Sequence, residues 1–131
     1  DVVLLDCPPS ASLLLENAYL AAHELVLPAR LDPLSLPALE RTKRLVAAID
    51  ADRPKPLRID GVLPTFYDLR TRVSDETLDA IRERFTKVLT PIRINAALAE
   101  APRTGKTIYE LDPSARGAVD YALLAEDLGL A

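Results

Sequence analysis

The chain opens Asp1-Val2-Val3-Leu4-Leu5-Asp6-Cys7-Pro8-Pro9-Ser10. Residues 2–5 are short, uniformly apolar and β-prone, the pattern of a strand buried on both faces. Asp6 then falls at the strand's carboxyl end, where open α/β sheets bind their ligands. Pro8 and Pro9 stiffen the exit, and neither can continue a ladder. A carboxylate so placed can hold Mg²⁺, or its waters, beside phosphate groups. It can equally cap the turn that follows.

Working outward, the chain alternates helix and strand. The pattern predicts a helix over 11–22 with Ser10 or Ser12 as N-cap, then a short strand over 25–28. After a loop at 33–36, a helix over 37–50 follows, with Pro37 near its first turn. Its apolar stripe is Leu39, Leu45, Val46 and Ile49, and Glu40, Arg41, Lys43 and Arg44 face water. Residues 52–56, rich in proline and charge, read as a linker. A strand over 57–64 leads to a helix over 74–87, opened by Ser74 and Thr77 with Leu78, Ile81 and Phe85 inward. A strand over 88–92 and a final helix over 114–128, capped by Ser114, complete the pattern. Strands alternating with helices predict a parallel sheet with right-handed crossovers.

Composition narrows the class. At 131 residues, one modest core and one domain are expected. Hydrophobic content of 49% is that of a globular chain. A single cysteine excludes an internal disulfide framework and fits a reducing cytosol. No apolar run approaches the roughly 20 residues of a membrane span, and no signal peptide is visible. The net charge of -4 confines any nucleic-acid contact to a local patch. Cys7 reads as buried packing beside Asp6, His23 as a surface or cap residue, and Tyr109 and Tyr121 as packing for the last helix.

Several ordered motifs resemble one family, the ParA/Soj-type partition ATPases of the deviant-Walker P-loop branch. Residues 1–10 resemble its Walker B strand, and Leu25-Val26-Leu27-Pro28 its next strand. Gly61-Val62-Leu63 followed by Asp68-Leu69-Arg70-Thr71 looks like its Gly-Val-Leu strand and Asp-x-Arg-Thr loop. Glu100-Ala101-Pro102, Gly105-Lys106 and Asp112-Pro113 with Gly117-Ala118 match its later segments in order. The resemblance implies an α/β fold, a P-loop NTPase-like parallel sheet with flanking helices, here missing the first strand and the P-loop. Gly105-Lys106-Thr107 is not that loop: the glycine required five residues upstream is Glu100, and residues 108–113 make a poor helix start. Residues 1–131, with no methionine, are therefore expected to be the carboxyl-terminal part of such an ATPase domain, starting at Walker B. Alone, the chain is expected not to hydrolyse ATP.

The resemblance also implies roles. Asp6 matches the carboxylate that holds Mg²⁺ through water, and Pro8 and Pro9 the segment that senses the γ-phosphate of ATP. Asn95 and Pro102 lie in the loop that borders adenine and ribose. Arg70 matches a DNA-contact arginine, with Arg72 and Arg93 as further cations. Ile94 and Ala97 stand where relatives carry basic residues. Arg82, Arg84 and Lys87, interleaved with acidic residues, read as a solvated face. The intact protein is then expected to be an ATP-dependent homodimer that binds DNA non-specifically and answers to a ParB-type partner. It would be cytoplasmic and nucleoid-associated, without a membrane partner. A MinD-like or secretion relative at a membrane, a non-catalytic interaction module and a flavodoxin-like domain are the alternatives. The short acidic tail at 125–131 argues against the first.

Overall fold

The computed structural model describes residues 2–8, 12–51 and 53–130. Helix α1 (Leu13–Ala21) is followed by strand β1 (Glu24–Arg30), helix α2 (Ser35–Asp50), strand β2 (Arg58–Thr65) and helix α3 (Arg72–Arg84). The chain closes with α4 (Ala96–Glu100), a 3-10 turn (Ala101–Thr104), α5 (Ile108–Leu111) and α6 (Arg116–Asp127). β1 and β2 run parallel, and β2 carries an extra residue at the Leu25/Val26 irregularity. Both faces of the sheet are covered, which is why β2 is apolar on each. Val62, with Leu27, Ala29 and Leu31, packs on Leu39 of α2 and on Leu78 and Ile81 of α3. Leu63, with Leu89 and Ile92, packs on Leu124 of α6.

The strand expected over 88–92 runs beside β2, but only as separate bridges, Val62 to Val88 and Tyr67 to Arg93. Prolines explain the interruption. Val62 donates to the Lys87 carbonyl and receives from Leu89, so alternate residues of β2 face this segment. Pro64 is next in that row and has no N–H, and Pro91 lacks one opposite. Only the Ile92 N–H to the Pro64 carbonyl (2.9 Å) survives there.

Residues 2–5 are not the doubly buried strand expected of them. They have no ladder partner among the described residues, and Val3 is 81% exposed. A strand's N–H and C=O groups need a neighbour. β1 is hydrogen-bonded only to β2 among the described residues, so its outer edge stands open. Since Leu31 donates toward Thr65, the two-residue period turns Pro28 outward onto that edge.

Other boundaries move for local reasons. Ser12 rather than Ser10 caps α1, accepting from the Leu15 N–H, while Ser10 lies outside the described residues. The helix expected over 74–87 begins at Arg72 and ends at Arg84, so Phe85 sits in extended backbone past its end. Ser114 does not cap α6; its hydroxyl donates to Asp112 Oδ1 (2.7 Å) in the turn before it. Residues 108–111 do form one helical turn, fixed by reciprocal bonds between Thr107 and Glu110. Leu45 lies off the buried stripe of α2, and Tyr109 and Tyr121 are 49% and 41% exposed rather than packed on the sheet. The region read as a linker is clamped. Arg53 donates to the Tyr19 and Ala22 carbonyls at the end of α1, and Asp50 accepts from the Leu57 N–H (2.7 Å).

Candidate functional site

Asp6 and Pro8 are exposed, and Cys7 is half-buried rather than buried. Together with Leu5 they form one wall of a groove of about 830 Å³ along the open edge of β1. α1 supplies Tyr19 to the other walls, α2 supplies Ser35 and Leu45, and Asp32 comes from the turn before α2. Pro9 lies outside the described residues. The donor chemistry at this edge suits Mg²⁺, which keeps several waters and takes one or two carboxylates alongside phosphate oxygens. Asp6 and Asp32 are the carboxylates at the groove, and Asp32 already accepts from the Leu34 N–H and the Ser35 hydroxyl and lies 3.5 Å from Arg30. No group of three His, Cys, Asp or Glu gathers there or elsewhere among the described residues.

Asn95 and Pro102 lie on the other side of β2 and do not line this groove. Asn95 is the N-cap of α4, its Oδ1 accepting from the Ala97 N–H at 2.9 Å. Pro102 is exposed in the 3-10 turn. That turn ends at Gly105, whose φ of 68° is left-handed. Gly105-Lys106 is thus a turn terminator, which agrees with its rejection as a phosphate loop. The loop after β2 and the segment carrying Asn95 are joined: Ile94 donates to the Tyr67 carbonyl (3.0 Å) and Tyr67 to that of Ile92 (3.0 Å). Phe66, between them, holds φ 54° and stacks under the Arg30 guanidinium at 4.2 Å.

The cations expected at DNA differ sharply. Arg70 is 85% exposed and lies flat on Asp68, Nε to Oδ1 2.9 Å and an Nη to Oδ2 3.0 Å. This fork holds the Asp68 carboxyl down at about 2. Arg72 is exposed and paired with Glu76 at 3.0 Å. Arg93 is turned inward. Its guanidinium and its backbone N–H all engage the buried Asp120 of α6, at 2.5 to 3.0 Å. Arg93, read as a further cation for DNA, is therefore a side chain already committed to Asp120. The signal for this partner was in the sequence. Gly117, Ala118, Asp120 and Leu124 share the inner face of α6, so a carboxylate at 120 required a cation.

α6 also sets the height of the Asn95 segment. A Cβ at Gly117 would come within 2.6 Å of Leu98 Cγ, so glycine lets α4 sit close.

No family model matches the chain. It is 34% identical over 130 residues to the sporulation initiation inhibitor protein Soj of Bacillus subtilis, covering 98% of this chain and 51% of that protein. It is 37% identical to the chromosome-partitioning ATPase Soj of Thermus thermophilus, over 98% of this chain and 52% of that protein. It is 28% identical to the chromosome partitioning protein ParA of Myxococcus xanthus, over 98% of this chain and 46% of that protein. The chain spans about half the length of the curated relatives it matches, and corresponds to their carboxyl-terminal part.

Proposed function

We propose that this chain, related along almost its whole length to the carboxyl-terminal half of Soj/ParA proteins, is the corresponding part of an ATP-dependent partition ATPase. The similarity over 98% of the chain to a chromosome-partitioning ATPase carries the reading. The intact protein binds Mg-ATP, dimerises, binds DNA without sequence preference and is released by a ParB-type partner. In this reading Asp6 holds the metal's water shell, Pro8 and Pro9 adjoin the γ-phosphate, and Asn95 and Pro102 border the base. The open edge of β1, with Asp6 on the groove beside it, supports this: another strand fits there and would carry phosphate-binding groups toward Asp6. Bound Mg-ATP would supply the phosphoryl chemistry, while this chain's residues position and neutralise charge.

Arg70 and Arg72 are the proposed DNA contacts, and Arg93 contributes by holding its loop. No helix among the described residues is long and apolar enough to cross a membrane. The test is retention of random-sequence duplex by the intact protein, with and without ATP, across a salt series. ATP-dependent binding with a steep salt slope supports the partition reading. ATP turnover without DNA binding moves the assignment to the membrane or secretion branch.

A further inference from the structure

Arg70, Arg72 and Arg93 are all paired with carboxylates, so the free cationic charge of this chain lies elsewhere. Between α2 and the end of α3 is a dimple of about 130 Å³ lined by Lys43, Ile59, Gly61, Arg84, Thr86 and Lys87, with Phe85 beside them. At ~30 Å³ per water this is room for a tetrahedral oxyanion and its nearest waters. Lys43 and Arg84 make no ion pair among the described residues. Lys43 Nζ stands 5.6 Å from the Phe85 ring centre, which holds the ammonium over the dimple. Lys87 bonds Asp60 Oδ2 (2.9 Å), and Asp60 also lies 3.7 Å from Arg58, so this carboxylate is already shared by two cations. Gly61, also in the lining, lets Leu89 pack closely, since its Cβ would sit 3.0 Å from Leu89 Cγ.

We propose that this dimple binds a phosphate group, held by Lys43, Arg84 and the Thr86 hydroxyl with Lys87 at the rim. The phosphate belongs either to a small phosphorylated ligand or to a nucleic-acid backbone. The inference does not depend on the nucleotide reading, because the dimple faces the amino-terminal part of β2 and shares no residue with the groove at Asp6.

The experiment titrates inorganic phosphate into the intact protein, following the Gly61 and Thr86 amides by NMR and binding by calorimetry. It is repeated with the Lys43→Gln/Arg84→Gln variant and, as control, Arg70→Gln. Saturable shifts at both amides, and affinity at least ten-fold weaker in the double variant alone, are expected. Absence of those shifts, or unchanged affinity in the double variant, overturns the proposal. Arg84 also stands on the carbonyl end of α3, where a cation offsets the helix dipole. If that were its whole role, the variant would lose stability and leave phosphate binding untouched, which also overturns it. The source is then read from duplex retention. With a slope near −0.9 per neutralised phosphate, a fall of about 0.9 in the salt slope assigns the phosphate to nucleic acid. An unchanged slope with lost phosphate binding assigns it to a small ligand.

Discussion

Asp120, 2% exposed on α6, lies directly under Arg93 and accepts from both its guanidinium and its backbone N–H. This pair ties the last helix to the loop after residue 92, and with it the segment that Asn95 caps. Removing one partner strands the other. Asp120→Ala is expected to cost about 2–4 kcal/mol, a little below the roughly 3–5 kcal/mol of a fully buried pair because the Arg93 side chain keeps 30% exposure. Asp120→Asn, which retains an acceptor for the N–H, should lose about half as much. Urea midpoints at constant m-value are the measurement.

Gly117→Ala drives a methyl into Leu98, which stands 2.6 Å from the position of that Cβ. The expected loss is about 1–3 kcal/mol of overpacking strain. Leu98→Ala in the same chain should recover most of it. A double-mutant cycle with no coupling would mean that α4 yields freely.

Arg53→Met keeps the apolar stem and removes the donors to the Tyr19 and Ala22 carbonyls. We expect a loss of about 1–3 kcal/mol, most of it local. Amide exchange in α1 should rise well before that of β2. Equal acceleration in both would show Arg53 to be part of the global core.

Asp68 titrates at about 2 because Arg70 bonds its ionised form. A carboxyl depressed by folding contributes stability that is fully present above its unfolded value of ~3.9 and is lost as pH falls toward 2. The Asp68–Arg70 contact should thus be intact throughout neutral and mildly acid solution. The Asp68 carboxyl carbon, followed by NMR, should move its midpoint up toward the ordinary range in Arg70→Ala.

Arg70→Glu in the intact protein should weaken DNA retention and leave ATP binding in place, while Asp6→Ala should abolish Mg-dependent turnover. Parallel loss of DNA and ATP binding in the first would make Arg70 a support of the fold. Undiminished turnover in the second would remove Asp6 from the metal site.

Most of the fold was legible because period and flanking residues agree locally. Leu39 and Val46 on α2, and Leu78 and Ile81 on α3, fall on buried faces as their spacing requires. What was not legible depends on neighbours. Residues 2–5 have the right residues for a strand, but pairing is a property of two segments. The row of β2 that meets residues 87–94 is interrupted by Pro64, which only the register reveals. For the candidate site residues, motif order singled out Asp6, Arg70 and Asn95, yet it could not say that Arg93 turns onto Asp120. The carboxylate that draws it there lies 27 residues later.

The outer edge of β1 has a colloidal consequence. Outward-facing N–H and C=O groups beside the exposed Val2, Val3, Leu4 and Leu5 form a template onto which another extended chain can zip. Pro28 removes one donor from that template and so acts as a partial gatekeeper. Handled alone at high concentration, this chain is expected to grow by edge-to-edge addition. A charge introduced at the exposed Leu4 should lengthen its life in solution more than any change to its core.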